Sequence, residues 1–178
     1  MKKYLLLFCC ASILLACSKP AETVTEPAVE AKPLPTEFAD LKYMEIGKQG
    51  IANLASGDVD GWMSSFADNA VYVWSSGDSL VGKQAITDYW KDRRNNVIDS
   101  LTFMNDVWLP IQVNEPQRSV VARGVWLLSW YQVVTKYKNG KKIGMWIHTD
   151  LHFDNNDKID SAIQYIDRAP INVALAKK

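Results

Sequence analysis

His148-x-Asp150-x-His152 places the chain's two histidines on either side of an aspartate. On a strand, alternate side chains share one face, so this spacing sets two imidazoles and a carboxylate in a row. Two kinds of chemistry suit such a row. Histidine titrates near neutral pH and can exchange a proton with a neighbouring carboxylate. The same residue types bind divalent metals when they converge and outer partners orient them. A hydrated or subunit-facing polar strip uses the same residues without chemistry. A second group is aromatic: Tyr72, Trp74, Tyr89, Trp126 and Trp130. Facing one interior, these rings are either core or the lining of an apolar-ligand pocket, with Thr149 and Gln164 as its polar handles. Arg93-Arg94 reads as a solvated helix end, and the sequence has neither a glycine-rich phosphate loop nor a serine-centred nucleophile elbow.

The elements that must position these residues fall in two blocks. Residues 37–56 carry Phe38, Leu41, Met44, Ile51 and Leu54 at three- and four-residue steps, interrupted at Gly47, which predicts a helix stopped by Gly57. Asp58 caps a short second helix over 59–66 that turns Trp62, Met63 and Phe66 inward. Residues 70–74 read as a strand, 75–78 as a turn and 83–96 as a third helix. From Ser100 to Asp167 the pattern is strand-like. Helices first and an antiparallel meander after them make an α+β fold.

Two turns set the expected register. Asn139-Gly140 predicts a two-residue type I′ hairpin. It places Tyr131 opposite His148 and Trp130 opposite Thr149. A turn at 154–157 places Thr149 near Ala162 and Ile147 near Gln164. The helix-facing side of the sheet then holds Trp126, Leu128, Trp130, Ile147, Thr149, Leu151, Phe153, Ala162 and Gln164. Leu127, Ser129, Tyr131, Trp146, His148, Asp150, His152, Ile163 and Tyr165 fall on the other side, which suits exposure or a subunit contact.

The N-terminus has its own logic. Lys2 and Lys3 precede an apolar stretch of about 12 residues, too short for the roughly 20 of a spanning helix but right for a secretory signal over 1–16. Leu14-Leu15-Ala16-Cys17 resembles a bacterial lipobox. That resemblance implies lipidation of Cys17, and Ser18 in place of an aspartate points to the outer membrane, facing the periplasm. Cys9 and Cys10 leave with the signal, so the mature fold has no thiol for a disulfide, a nucleophile or a metal. Loss of Lys2 and Lys3 from the 20 basic residues leaves 18 against 20 acidic ones, and this balance gives no electrostatic case for nucleic acid. Membrane attachment falls to the lipid. Residues 17–36, rich in Pro, Glu and Ala, read as a disordered tether, and 37–178 as one domain.

Ser56-Gly57-Asp58-Val59-Asp60-Gly61-Trp62, Phe66-Ala67-Asp68-Asn69-Ala70-Val71, Val81-Gly82-Lys83-Gln84-Ala85-Ile86 and His152-Phe153…Lys158-Ile159 together resemble the SnoaL-like, or nuclear transport factor 2-like, superfamily. The resemblance covers about 38–167. It implies a cone of three N-terminal helices packed on a strongly curved, mainly antiparallel sheet. Such cones host isomerases, dehydratases, cyclases, epoxide hydrolases and plain binding modules. The tyrosine, base aspartate and protonated aspartate of the family's steroid isomerases map onto Gly50, Trp74 and Thr149, and a slip of one residue would move the last to Asp150. With those groups missing, the expectation is a small, largely apolar molecule bound in the cone without a cofactor, in a homodimer joined through its sheet. The alternatives are a hydratase or hydrolase built on Asp150 and His148, and a scaffold for another envelope protein.

Overall fold

The computed structural model describes residues 32–116 and 122–176, and Pro33–Lys178 groups into one unit. The signal, Cys17 and most of the expected tether lie outside the described residues. In chain order the elements are β1 (Thr36–Phe38), α1 (Lys42–Ser56), α2 (Val59–Met63), β2 (Phe66–Trp74), β3 (Ser79–Val81), α3 (Lys83–Asp92), a π-helical turn (Arg93–Val97), β4 (Ile98–Val113), β5 (Gly124–Tyr137), β6 (Lys142–Phe153), β7 (Ile159–Tyr165) and α4 (Ala169–Leu175). The strands form one sheet in the order β1-β4-β5-β6-β7-β2-β3. Every pairing is antiparallel except β2 with β7. This is the expected α+β cone, with one more helix than the sequence reading gave.

Backbone pairing begins before residue 37, and the first helix starts later than expected. Pro35 O accepts from the backbone N–H groups of Asn114 and Glu115, and Asn114 Nδ2 donates to Leu34 O at 2.9 Å. These bonds tie the last residues of the expected tether to the end of β4. Asp40 Oδ1 then accepts from Lys42 N at 2.8 Å and begins α1 there. Phe38 and Leu41, expected on the buried stripe, therefore precede the helix and are exposed.

Gly47 is a close approach of α1 to the sheet rather than a gap in its stripe. A Cβ there would lie 2.6 Å from both Leu127 Cδ2 and Trp108 Cζ3. Gly57 at φ 88° ends the helix, and Asp58 Oδ1 caps α2 by accepting from Gly61 N at 2.8 Å. Trp62, Met63 and Phe66 are buried as expected.

The face assignment of β5 is corrected by its turn. Asn139 does not take the positive φ that a type I′ turn needs, and only Gly140, at φ 86°, does. Tyr137 N donates to Lys141 O at 2.8 Å and Gly140 N to Tyr137 O at 2.9 Å, a three-residue loop with glycine at its left-handed position. Trp74–Asp78 and Asp154–Lys158 bond in the same way, with Gly77 and Asp157 at that position. One extra loop residue moves the register by one and turns every β5 side chain over. His148 therefore pairs with Trp130 and Ile147 with Tyr131. Thr149 pairs with Gln164 and Leu151 with Ala162, an even shift that keeps the expected face. A bulge between Met104 and Val107, with Asn105 at φ 55°, does the same for β4: Leu101 and Phe103 face inward before it and Trp108 after it.

Candidate functional site

The helices and the concave sheet face enclose a cavity of about 170 Å³. Its rings come from several elements: Trp62 of α2, Tyr72 and Trp74 of β2, Tyr89 and Trp90 of α3, Trp108 of β4 and Tyr131 of β5. Tyr72 packs against Trp74 at 5.0 Å between ring centroids, and Trp74 against Tyr89 at 5.2 Å in an edge-on arrangement. Trp108 stacks on Tyr131 at 6.1 Å. Aromatic packing of this kind makes a stiff wall, because each ring is fixed by the next.

Polar groups enter at the strand centres. Ser129 Oγ donates to Thr149 O at 2.8 Å, and Thr149 Oγ1 lies 2.9 Å from Tyr131 Oη. Gln164, across from Thr149, is the other bonding partner of the Tyr131 hydroxyl. Burial pushes the Tyr131 hydroxyl above its ordinary pKa, and the bonds to Thr149 and Gln164 offset part of this. Burial pushes the Tyr72 hydroxyl well above its usual value, with Tyr131 and Tyr89 adding to the shift. Both phenols stay protonated at neutral pH.

Of the aromatic group singled out from sequence, Tyr72, Trp74 and Tyr89 line the cavity, as do Thr149 and Gln164. Trp126 and Trp130 do not. The β5 register turns both to the convex face, where Trp126 packs on His152 at 4.9 Å and Trp130 stacks on His148 at 4.4 Å. Gly50, Trp74 and Thr149, the positions mapped from the isomerases, all face the cavity, and Asp150 does not. Among the described residues the lining includes no carboxylate and no imidazole. It includes Arg93 and Arg168 instead, so Arg93 is not the solvated helix end expected of it.

The His-Asp-His row lies on the convex face as two separate pairs. His148 Nε2 is 2.9 Å from Asp150 Oδ1, while its Nδ1 meets Ser129 O at 2.9 Å. His152 turns to Asp160 at 2.5 Å and to Arg123 O at 2.9 Å. His152 is bonded through both ring nitrogens and His148 through Nδ1, while Asp150 Oδ1 stays close to His148 Nε2 without a hydrogen bond of its own; among the described residues no three His, Cys, Asp or Glu side chains converge as metal ligands. Desolvation raises the Asp150 pKa, and the neighbouring His148 offsets part of the rise. His148 is held between Trp130 and Tyr165, and together with exposed Trp146 these rings make an aromatic patch.

This fold matches known proteins. Residues 48–162 match the SnoaL-like domain, and the chain belongs to that family. A nuclear transport factor 2-like protein of unknown function from Burkholderia pseudomallei superposes with a TM-score of 0.61 at 10% identity, covering 76% of this chain and 98% of that one. A candidate polyketide cyclase from Xanthomonas campestris gives 0.60 at 11% identity over 76% and 97%. An epoxide hydrolase from M. tuberculosis gives 0.52 at 12% identity over 75% and 96%. At these identities the likeness is one of fold. No curated protein matches the sequence.

Proposed function

We propose that this chain is an envelope lipoprotein whose SnoaL-like cone binds a small, largely apolar molecule and does not transform it. One observation carries the reading. The cavity is walled by aromatic and aliphatic side chains, with a few hydrogen-bonding groups at its base and no carboxylate or imidazole among its described lining. Apolar walls with sparse polar handles favour binding and orientation, whereas general acid–base chemistry needs a titrating group within reach of the ligand. Tyrosines held protonated by burial do not serve as bases at neutral pH. The rival enzyme built on Asp150 and His148 loses its support because both residues face away from the cavity.

The size of the cavity bounds the ligand. An apolar cavity of roughly 150 Å³ holds a benzene ring, so about 170 Å³ suits a single small ring system, simple or fused. Leu14 to Cys17 support the envelope location: attachment through the Cys17 lipid, at the outer membrane facing the periplasm. Cys17→Ala is expected to block lipid labelling, and unchanged membrane partitioning of that variant would count against the anchor. The convex patch of Trp130, Trp146 and Tyr165 supports a homodimer through the sheet.

Titration of the full chain with a fluorescent naphthol tests the binding reading. Wild type is expected to saturate. Trp74→Ala is expected to weaken binding by about one to two orders of magnitude, since its ring offers roughly 1 to 3 kcal/mol of apolar contact. Turnover of an epoxide or enone by wild type, lost in Asp150→Asn, would move the function to the enzyme.

A further inference from the structure

The cavity holds more hydrogen-bond donors than acceptors, and one unpaired positive charge. Arg168 is neutralised: its Nη1 lies 2.7 Å from Asp78 Oδ2. The Arg93 guanidinium lines the cavity and has no hydrogen bond or ion pair among the described residues. Its charge is felt inside the cone, where it offsets part of the rise that burial imposes on the Tyr137 hydroxyl. Trp90 Nε1 is buried with no hydrogen-bond partner. The Tyr72 side chain is 2% exposed and lines the cavity, and its hydroxyl, which unlike Trp90 Nε1 is not fully buried, has no hydrogen-bond partner among the described residues.

Trp90 and Arg93 carry a cost in the empty cone. A buried donor left unpaired costs about 1 to 3 kcal/mol, and a cation beside low-dielectric walls lacks part of its hydration. A ligand that supplies acceptors recovers those costs, and one that also supplies a negative charge answers Arg93. Guanidinium groups bind carboxylates strongly because planar N–H pairs match the two oxygens. A neutral hydrocarbon leaves all three donor groups unanswered. With no carboxylate or imidazole in the described lining, nothing there competes for Arg93 or repels an anion.

We propose that the molecule taken by the cone is a small aromatic or alicyclic carboxylic acid, its ring against Trp74 and Tyr89 and its carboxylate on Arg93, with the Tyr72 hydroxyl as a further donor. The inference rests on the cone-binding reading and adds the chemical class. Arg93 is then the residue that determines specificity. Such an acid is ionised at neutral pH, so preference for it over an uncharged isostere reads out the Arg93 contact directly.

The test uses the full chain and matched pairs of phenyl-, indolyl- and naphthyl-propionates with their amides, titrated by calorimetry. Wild type is expected to bind at least one acid about tenfold or more tighter than its amide. Arg93→Gln should weaken the acid far more than the amide and so erase that preference, without lowering the melting temperature, and Arg93→Lys should keep part of it. Equal affinity for acid and amide, or a preference that survives Arg93→Gln, overturns this inference and leaves the cone-binding reading standing. Binding of neither form of any pair overturns both.

Discussion

Thr149 and Asp150 are neighbours on β6 and belong to different halves of the molecule. Thr149 Oγ1 lies 2.9 Å from Tyr131 Oη inside the cone, and Asp150 Oδ1 lies 2.9 Å from His148 Nε2 on the convex face. The pleat separates them completely, since successive side chains on a strand point to opposite faces. That separation leaves the cavity without a base and gives the outer face its only desolvated carboxylate with a raised pKa among the described residues.

Stability should distinguish cavity wall from solid core. Phe66 is 2% exposed and does not line the cavity, so Phe66→Ala is expected to cost about 3 to 5 kcal/mol. Trp74 borders empty space on one side. Trp74→Ala should therefore cost measurably less despite removing a larger ring. Thermal melts of the two variants check this, and an equal or greater loss for Trp74→Ala would mean that its ring is ordinary core.

The Asp150 carboxyl gives a pH dependence with a definite sign. Its folded pKa is raised by desolvation, with Leu128 and Ile163 as its neighbours on the adjoining strands and His148 beside it. The folded state therefore holds the proton more tightly than the unfolded state. The stability tied to that proton is complete below the unfolded carboxyl value and lost as pH rises through the folded one. At neutral pH the wild type buries a charge that Asp150→Asn lacks. The variant should be the more stable at pH 7, and the gap should close as pH falls toward the ordinary carboxylate range. A gap that widens on acidification would contradict the assignment.

Much of the fold was legible, and the misreadings have physical causes. The Gly57-Asp58 stop and cap, the inward Trp62, Met63 and Phe66, and the order of helices before strands all follow from local chemistry. The faces of β5 did not, because Trp126 to Trp130 is apolar on both sides and its register hung on one turn. Asn139-Gly140 suits either a two-residue or a three-residue loop, and only the backbone angle at Asn139 decides between them. Tyr131 and Ser129 were misplaced to the outside for that reason, and Trp126 and Trp130 to the inside. Arg93 was missed because an Arg-Arg pair after an amphipathic helix looks solvated. The π-helical turn that points it at the cavity leaves no composition signal. α4, only seven residues long, lies beyond Asp167, where the sequence reading placed no element, although Pro170 near its start was a usable helix signal.

The proposed dimer has its own test. Trp146 is 54% exposed on the convex face, beside the stacked Trp130, His148 and Tyr165. Trp146→Glu should yield monomers by light scattering, because a charge buried in an apolar contact costs several kcal/mol. A wild type that is already monomeric at tens of micromolar rejects the interface.

The most direct test of the cone as a binding site is a site-resolved titration followed through indole N–H resonances. Trp74 and Trp90 line the cavity, and Trp146 lies on the opposite face of the sheet. Adding naphthol to the ¹⁵N-labelled full chain should shift the Trp74 and Trp90 signals along one saturating curve and leave Trp146 where it was. Cavity signals that do not move at saturating naphthol, or shifts confined to Trp146 and Trp130, would contradict the account.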